Sequence, residues 1–483
     1  MNLIRHIIPY CFVLFFLLKG NRQLLFLLGI PFLMFMSNSI FFENAKPFQI
    51  PGSLSDQLPL IWLFILWIFS KISNNRFIKK TSNTKLKEIS KSTIDGTGLL
   101  IVALIIISIV GLIKNVSNYY PMITGVVGEF FAYTSLLFAF FIIKNWISSN
   151  NLEVVIEFLY WLVVINSIAA LLFILHQGLH FNIYTTPEYS SESFQGQEIT
   201  RSFWFMPQFL FFSVAFLLVF KNKYSFSIAL LVINLSAIII TYTISAIIIT
   251  ILILILYFGL KGLKNGRLGS TLGNLIKYAI MAIAGLFIMA KLLPANMNYL
   301  LSRISEHTDS QYVLKEPNDM DVRFSNTKLM IAKIDRDKRM FGMGPITEEQ
   351  APKVIEMKAN TADTVWSGVI FYWGFVGLAI FALIFLFSSI QAFNFYMKFD
   401  GLTSDLAFVL LLYIISQMID GFDSWTFLSG HGITIGLWYF AVLSALPKMN
   451  NSTEIVKSEN PRLSIYSRKS FALNSSNYLH STN

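Results

Sequence analysis

The chain has 483 residues, of which 55% are hydrophobic, 15% aromatic and only 13% charged. Soluble domains carry about 25% charged residues, so a soluble enzyme, a disordered chain and a nucleic-acid-binding domain are all excluded as descriptions of the whole. The formal net charge of +10 reads as Lys and Arg gathered in cytoplasmic loops, with no nucleic-acid partner. The single cysteine, Cys11, sits in an apolar run and leaves no intrachain disulfide to form.

In chain order, apolar stretches occupy about 4–18, 24–42, 59–70, 99–113, 120–143, 154–175, 204–220, 225–241, 244–260, 274–292, 365–390, 405–419 and 432–446. Unbroken apolarity of this length predicts helices and excludes the alternating pattern of a membrane barrel. The expected fold is therefore all-α, a polytopic membrane bundle of 12–13 spans; twelve remain if 4–18 does not cross. Segment 4–18 lacks a cleavage pattern and reads as an uncleaved span. The division is 1–292 with the first ten spans, 293–363 as a large loop, 364–449 with the last three spans, and 450–483 as a Ser/Asn-rich disordered tail.

Positive charge orients the bundle. Lys71, Arg76, Lys79, Lys80, Lys85, Lys87 and Lys91 place the segment 71–98 in the cytoplasm. Counting alternately from there, 21 Lys/Arg fall in cytoplasmic segments, against Lys46, Lys114 and Arg201 in short external loops. The external face then owns the loops 176–203 and 293–363. The second holds ten Lys/Arg and eleven Asp/Glu, and polar connections of such length are usually functional.

Within that loop, Pro317-Asn318-Asp319 starts a predicted amphipathic helix from Met320 to Met340, with Met320, Phe324, Ile331 and Ile334 on one stripe beside Leu329 and Met330. At about 30 Å it would lie on the membrane surface or against the bundle, stopped by Gly342. Arg323 falls in its first turn, where a cation is mildly unfavourable to the helix dipole; it is a solvated arginine or an anion clamp. Phe341-Gly342-Met343-Gly344-Pro345 follows, a tight turn allowing φ > 0. The loop closes on Lys358-Ala359-Asn360-Thr361-Ala362-Asp363 before a span carrying Gly374-Phe375-Val376-Gly377, small residues suited to close helix packing.

This order of elements resembles the O-antigen polymerase and O-antigen ligase superfamily. Arg201-Ser-Phe-Trp-Phe-Met-Pro207-Gln208, an arginine before a span opened by proline, is similar to that family's earlier periplasmic motif. The resemblance covers roughly 180–390 in pattern and the rest in hydropathy. It implies a GT-C-like membrane glycosyltransferase of the bacterial inner membrane, with a large helical periplasmic loop and no metal or other cofactor. Glycan would pass from an undecaprenyl diphosphate-linked oligosaccharide to an acceptor, within a setting of membrane lipid, a chain-length regulator and other glycan assembly proteins.

By position, Arg201 and Arg323 would bind the diphosphate, since guanidinium forks hold phosphate oxygens bidentately and stay charged, and Asn360 would line the substrate site. The family often has a His-Asn pair where this chain has Asn360-Thr361; the missing histidine leaves the general base open. Asp363 stands nearest that place and either takes a proton from an acceptor hydroxyl or caps the helix that begins at Thr364. Glu129 is the second catalytic candidate, an ionisable residue at membrane depth, with structural pairing to an arginine as its other role. His431, with Asp420 and Asp423, reads as a solvated loop cluster, and His307 has no neighbouring pattern. No Cys/His cluster has metal-ligand spacing, and no P-loop occurs. A ligase acting on lipid A–core, a lipid-linked oligosaccharide flippase and a structural scaffold are the alternatives to a polymerase.

Overall fold

The structure is a computed structural model that describes residues 96–118, 152–179, 191–194, 197–200, 207–241, 243–266, 297–302, 327–332, 338–344, 364–422 and 439–447, with single positions between them. The expected spans 4–18, 24–42 and 59–70, the basic segment 71–98 up to residue 95 and the tail 450–483 lie outside the described residues, as does most of 120–143 and 274–292.

Seven long helices are described: α1 (Gly96–Asn118), α2 (Leu152–Leu179), α3 (Pro207–Val219), α4 (Ser227–Ile240), α5 (Ile244–Asn265), α6 (Val365–Lys398) and α7 (Leu402–Asp420). Four of the described helices are long and apolar enough to cross a membrane: Gly96–Asn115, Ile244–Asn265, Val365–Lys398 and Leu402–Asp420. The chain is thus a helical membrane protein. The expected 99–113 stretch was short for a span, and the helix that contains it runs to 23 residues, because Gly96–Gly98 and Lys114–Asn118 extend it at both ends.

One departure from all-α is a two-stranded antiparallel hairpin, β1 (Ser191–Phe194) with β2 (Gln197–Thr200), in register Ser191 to Thr200 and Phe194 to Gln197. The sequence signal was Gly196 at the second position of a two-residue connection, a common hairpin device. A second departure concerns α3 and α4. At 13 and 14 residues each falls short of the roughly 17 that a vertical span needs.

Helices α3 and α7 form the centre. Residues 210–218 of α3 and 406–414 of α7 are almost wholly buried, and Phe212 meets Tyr413 edge-on at 5.6 Å between ring centroids. Both α3 and α7 pack against α2 and α5, while α6 packs on α7 and on α1. The periphery is apolar too. Ile106, Val110 and Ile113 on α1, Ile248, Ile251 and Ile255 on α5, and Leu383, Leu386, Phe387 and Ile390 on α6 are exposed at helical spacing. Water would penalise such stripes, whereas lipid tails accept them.

With lipid on one side and side chains on the other, polar groups supply much of the pairing specificity. Asn166 Nδ2 of α2 donates to Ser213 Oγ of α3 at 2.8 Å and to Asn234 Oδ1 of α4 at 3.2 Å. Asn234 Nδ2 returns to Ser167 Oγ at 2.6 Å. Interhelical hydrogen bonds in bilayers are worth about 0.6–2 kcal/mol each. Asn234→Leu is therefore expected to lower stability by about 1–2 kcal/mol, read as thermal unfolding of the detergent-solubilised protein; no loss would mean that apolar packing alone holds α2, α3 and α4.

Candidate functional site

The 34-residue α6 is not one helix. Gly374 interrupts it with φ 69° and ψ −166°, a conformation essentially reserved for glycine. In an unbroken helix Phe375 N–H would donate to the Phe371 carbonyl and Val376 N–H to that of Tyr372. The Gly374 backbone turns these groups away from one another, and the segment Arg339–Gly344 occupies the gap. Phe375 N donates to Arg339 O and Val376 N to Met340 O, both at 3.0 Å. The freed carbonyls are met from the other side: Met343 N donates to Phe371 O at 2.8 Å and Gly344 N to Tyr372 O at 3.1 Å. Two donors and two acceptors at the break are thereby each bonded to the loop. Irregular backbone at such a level is tolerated only where protein satisfies it.

The Phe-Gly-Met-Gly motif is thus one half of an interlock. Gly342 (φ 77°) and Gly344 (φ 75°) both have left-handed backbone. A Cβ on Gly342 would run into the Tyr372 carbonyl, and one on Gly374 into the Met340 carbonyl and Gly342 N. One on Gly344 would meet Asn115 Nδ2 at 3.0 Å and Gly111 Cα at 3.1 Å. Helix α1 completes the clamp along one face: Asn115 Nδ2 donates to Met343 O at 2.8 Å, and Ser108 Oγ accepts from Trp373 Nε1 at 2.8 Å. The Gly374–Gly377 pair therefore serves a helix break, not the close helix packing that its spacing predicts.

The predicted amphipathic helix does not reach Met340. Residue 325 and residues 327–332 are helical, while Ile334 and residues 338–340 are not. Arg339 folds back on this end: its Nη2 donates to Ala332 O at 3.0 Å and its Nε to Ile334 O at 2.9 Å. The backbone beyond is committed to α6 instead. Of the expected stripe, Met330 and Ile334 are buried, while Leu329 is exposed. Met340 and Phe341 stand exposed at the tip of the interlock.

The end of α6 beyond the break is capped by Thr364, whose Oγ1 accepts from Ser367 N at 3.2 Å. This corrects the capping role considered for Asp363, since the cap belongs to the next residue. Val365 N donates to Gly421 O at 3.0 Å, joining the start of α6 to the end of α7. Asp420, expected in a solvated loop, is the last residue of α7 and only 3% exposed.

The five site residues expected from sequence, Glu129, Arg201, Arg323, Asn360 and Asp363, lie outside the described residues, as do His307, His431 and Asp423. Their sequence neighbours are described: Arg201 follows the last residue of β2, and Asp363 precedes the Thr364 cap. Among the described residues no group of three or more His, Cys, Asp or Glu has the arrangement of a metal site. Sequence reasoning missed Asn115, Ser108 and Trp373, whose only signal was a polar residue or an indole N–H inside an apolar run. No family model and no curated protein matches the chain.

Proposed function

We propose that the protein is a polysaccharide polymerase of the O-antigen type in a bacterial inner membrane, a metal-independent glycosyltransferase that extends one lipid-linked repeat unit with the glycan of another on the periplasmic face. The observation that carries this reading is the interlock between Arg339–Gly344 and the break in α6. It gives the glycine motif of the resemblance a structural task, and it anchors the large loop to the membrane bundle at a defined depth. Below the break, residues 375–398 rise about 36 Å at 1.5 Å each, enough for the roughly 30 Å hydrocarbon layer. With Lys398 on the cytoplasmic side, as positive charge favours, the interlock sits near the outer boundary. That is the level of a polyprenyl diphosphate's phosphates.

The chemistry follows from the residue types. An acceptor hydroxyl attacks the anomeric carbon of the donor sugar, the bond from that carbon to the diphosphate oxygen breaks, and the undecaprenyl diphosphate departs. Arg201 and Arg323 hold that diphosphate and offset the charge growing on it. Asp363 or Glu129 takes the hydroxyl proton, and Asn360 orients the sugar.

Arg323→Ala and Arg201→Ala are each expected to reduce polymer about 100-fold, the usual scale for losing one preorganised charge-stabilising group, leaving single repeats on the surface-polysaccharide gel. A ladder unchanged at normal protein level would refute the polymerase. Loss of every attached repeat would favour the ligase, and lipid-linked units trapped inside would favour the flippase.

A further inference from the structure

Where α6 begins and α7 ends, the bundle holds buried polar atoms that no described residue satisfies. Trp366 Nε1, Tyr413 Oη and both amide atoms of Gln417 are buried without a hydrogen-bond partner among the described residues. Gln417 is only 2% exposed. Tyr413, Gln417 and Asp420 follow one another at spacings of four and three along α7, hence on one face. Trp366 stands at the end of that face: a Cβ on Gly421 would meet its Nε1 at 3.2 Å, and its ring lies 5.4 Å from that of Phe422. The backbone bond from Val365 N to Gly421 O ties the two helix ends together here.

Buried polar groups are expensive to leave unmade, and native proteins rarely leave several together. An indole N–H, an amide that both donates and accepts, and a phenol that does both form a mixed neutral set. Hydroxyl groups, which also donate and accept, match it. An anion does not: Asp420 is a buried carboxylate at this corner, and the chain from 399 to 447 contains no Lys or Arg. Phe422, 43% exposed beside Trp366, offers an aromatic plane that suits the apolar face of a pyranose ring.

We infer that this corner, formed by Trp366, Tyr413, Gln417 and Asp420, binds a sugar ring through its hydroxyls. The inference rests on the polymerase reading and adds to it a glycan-holding site separate from the arginines expected to hold the diphosphate.

The test uses the full-length protein in nanodiscs and saturation-transfer NMR with the methyl pyranosides of glucose, galactose, mannose and N-acetylglucosamine. At least one should show transfer, and Gln417→Leu should reduce it ten-fold or more. Leucine fills similar space without orphan polar atoms, so the melting temperature of Gln417→Leu should stay equal or rise. Trp366→Phe keeps a ring and removes the N–H, and should weaken transfer without unfolding the protein; it also carries the test should Gln417→Leu fail to fold.

A more stable Gln417→Leu with unchanged transfer, or no transfer to the unsubstituted protein, would overturn the site and leave only buried water or a packing defect. Gln417-dependent transfer with an unaltered polysaccharide ladder would keep the site and count against the polymerase. Polymer lost in Arg323→Ala without any Gln417-dependent transfer would do the reverse.

Discussion

Gly374→Ala should destabilise the protein by on the order of 3–5 kcal/mol and release the Arg339–Gly344 segment from α6. The residue sits at φ 69° and ψ −166°, where a side chain costs about 1–3 kcal/mol. Its new Cβ would overlap the Met340 carbonyl and Gly342 N, so the two strands of the interlock cannot simply shift to make room. The relaxed alternative is a continuous helix, which forfeits all four bonds to the loop; each hydrogen bond lost net costs about 1 kcal/mol. The release can be read directly. Met343 is 8% exposed, so Met343→Cys in a Cys11→Ser background should resist a maleimide and become reactive once Gly374→Ala is added. Gly342→Ala should act in the same direction, because its Cβ would run into the facing pair, the Tyr372 carbonyl and Gly374 N. If Met343→Cys stays shielded and the melting temperature holds, the interlock is not what keeps the loop in place.

At the other end of the bundle, Lys264→Met should cost about 2–4 kcal/mol, while Asp400→Asn should cost less than about 0.5. The Lys264 ammonium donates to Tyr396 O at 2.8 Å, to Phe399 O at 2.7 Å and to Ser404 Oγ at 2.7 Å. It lies 4.9 Å from the centre of the Tyr396 ring and 3.3 Å from Asp400 Oδ1. Those two carbonyls end α6 with no helical partner of their own, and a cation there also complements the helix dipole. Methionine keeps the stem and abandons all three acceptors. The ion pair with Asp400 contributes little, since that carboxylate is 97% exposed and water screens it. Equal losses from the two substitutions, measured by thermal unfolding in detergent, would mean that the ion pair, not the carbonyl cap, is what matters. Both effects concern the turn from α6 into α7, where Gly401 also adopts φ 69°.

Composition and apolar run length alone establish a helical membrane protein, because the cost of burying backbone in lipid leaves helices as the only solution for runs this long and this poor in alternation. The segments read near 99–113, 154–175, 244–260, 365–390 and 405–419 all recur as helices. Their ends moved where the decisive group was not apolar. Lys264 near the end of α5 and Lys398 at the end of α6 prolong helices that hydropathy cuts short, since long basic side chains reach the interface or a cap. The two glycines of Phe341–Pro345 were also readable as positions of positive φ, since few other residues occupy that backbone at low cost.

Their purpose was not readable. Nothing local in Tyr372-Trp373-Gly374 tells a packing motif from a break, because the break is stable only when Arg339–Gly344 arrives from elsewhere in the chain to satisfy the freed groups. In the same way Asp420 looks like a loop residue until Gly421 is tied to Val365, and Gln417 looks like an ordinary helix residue until burial leaves its amide without a partner among the described residues. Hydropathy decides what must leave water; only the meeting of distant segments decides which buried polar groups find partners, because those partners lie far away in the chain.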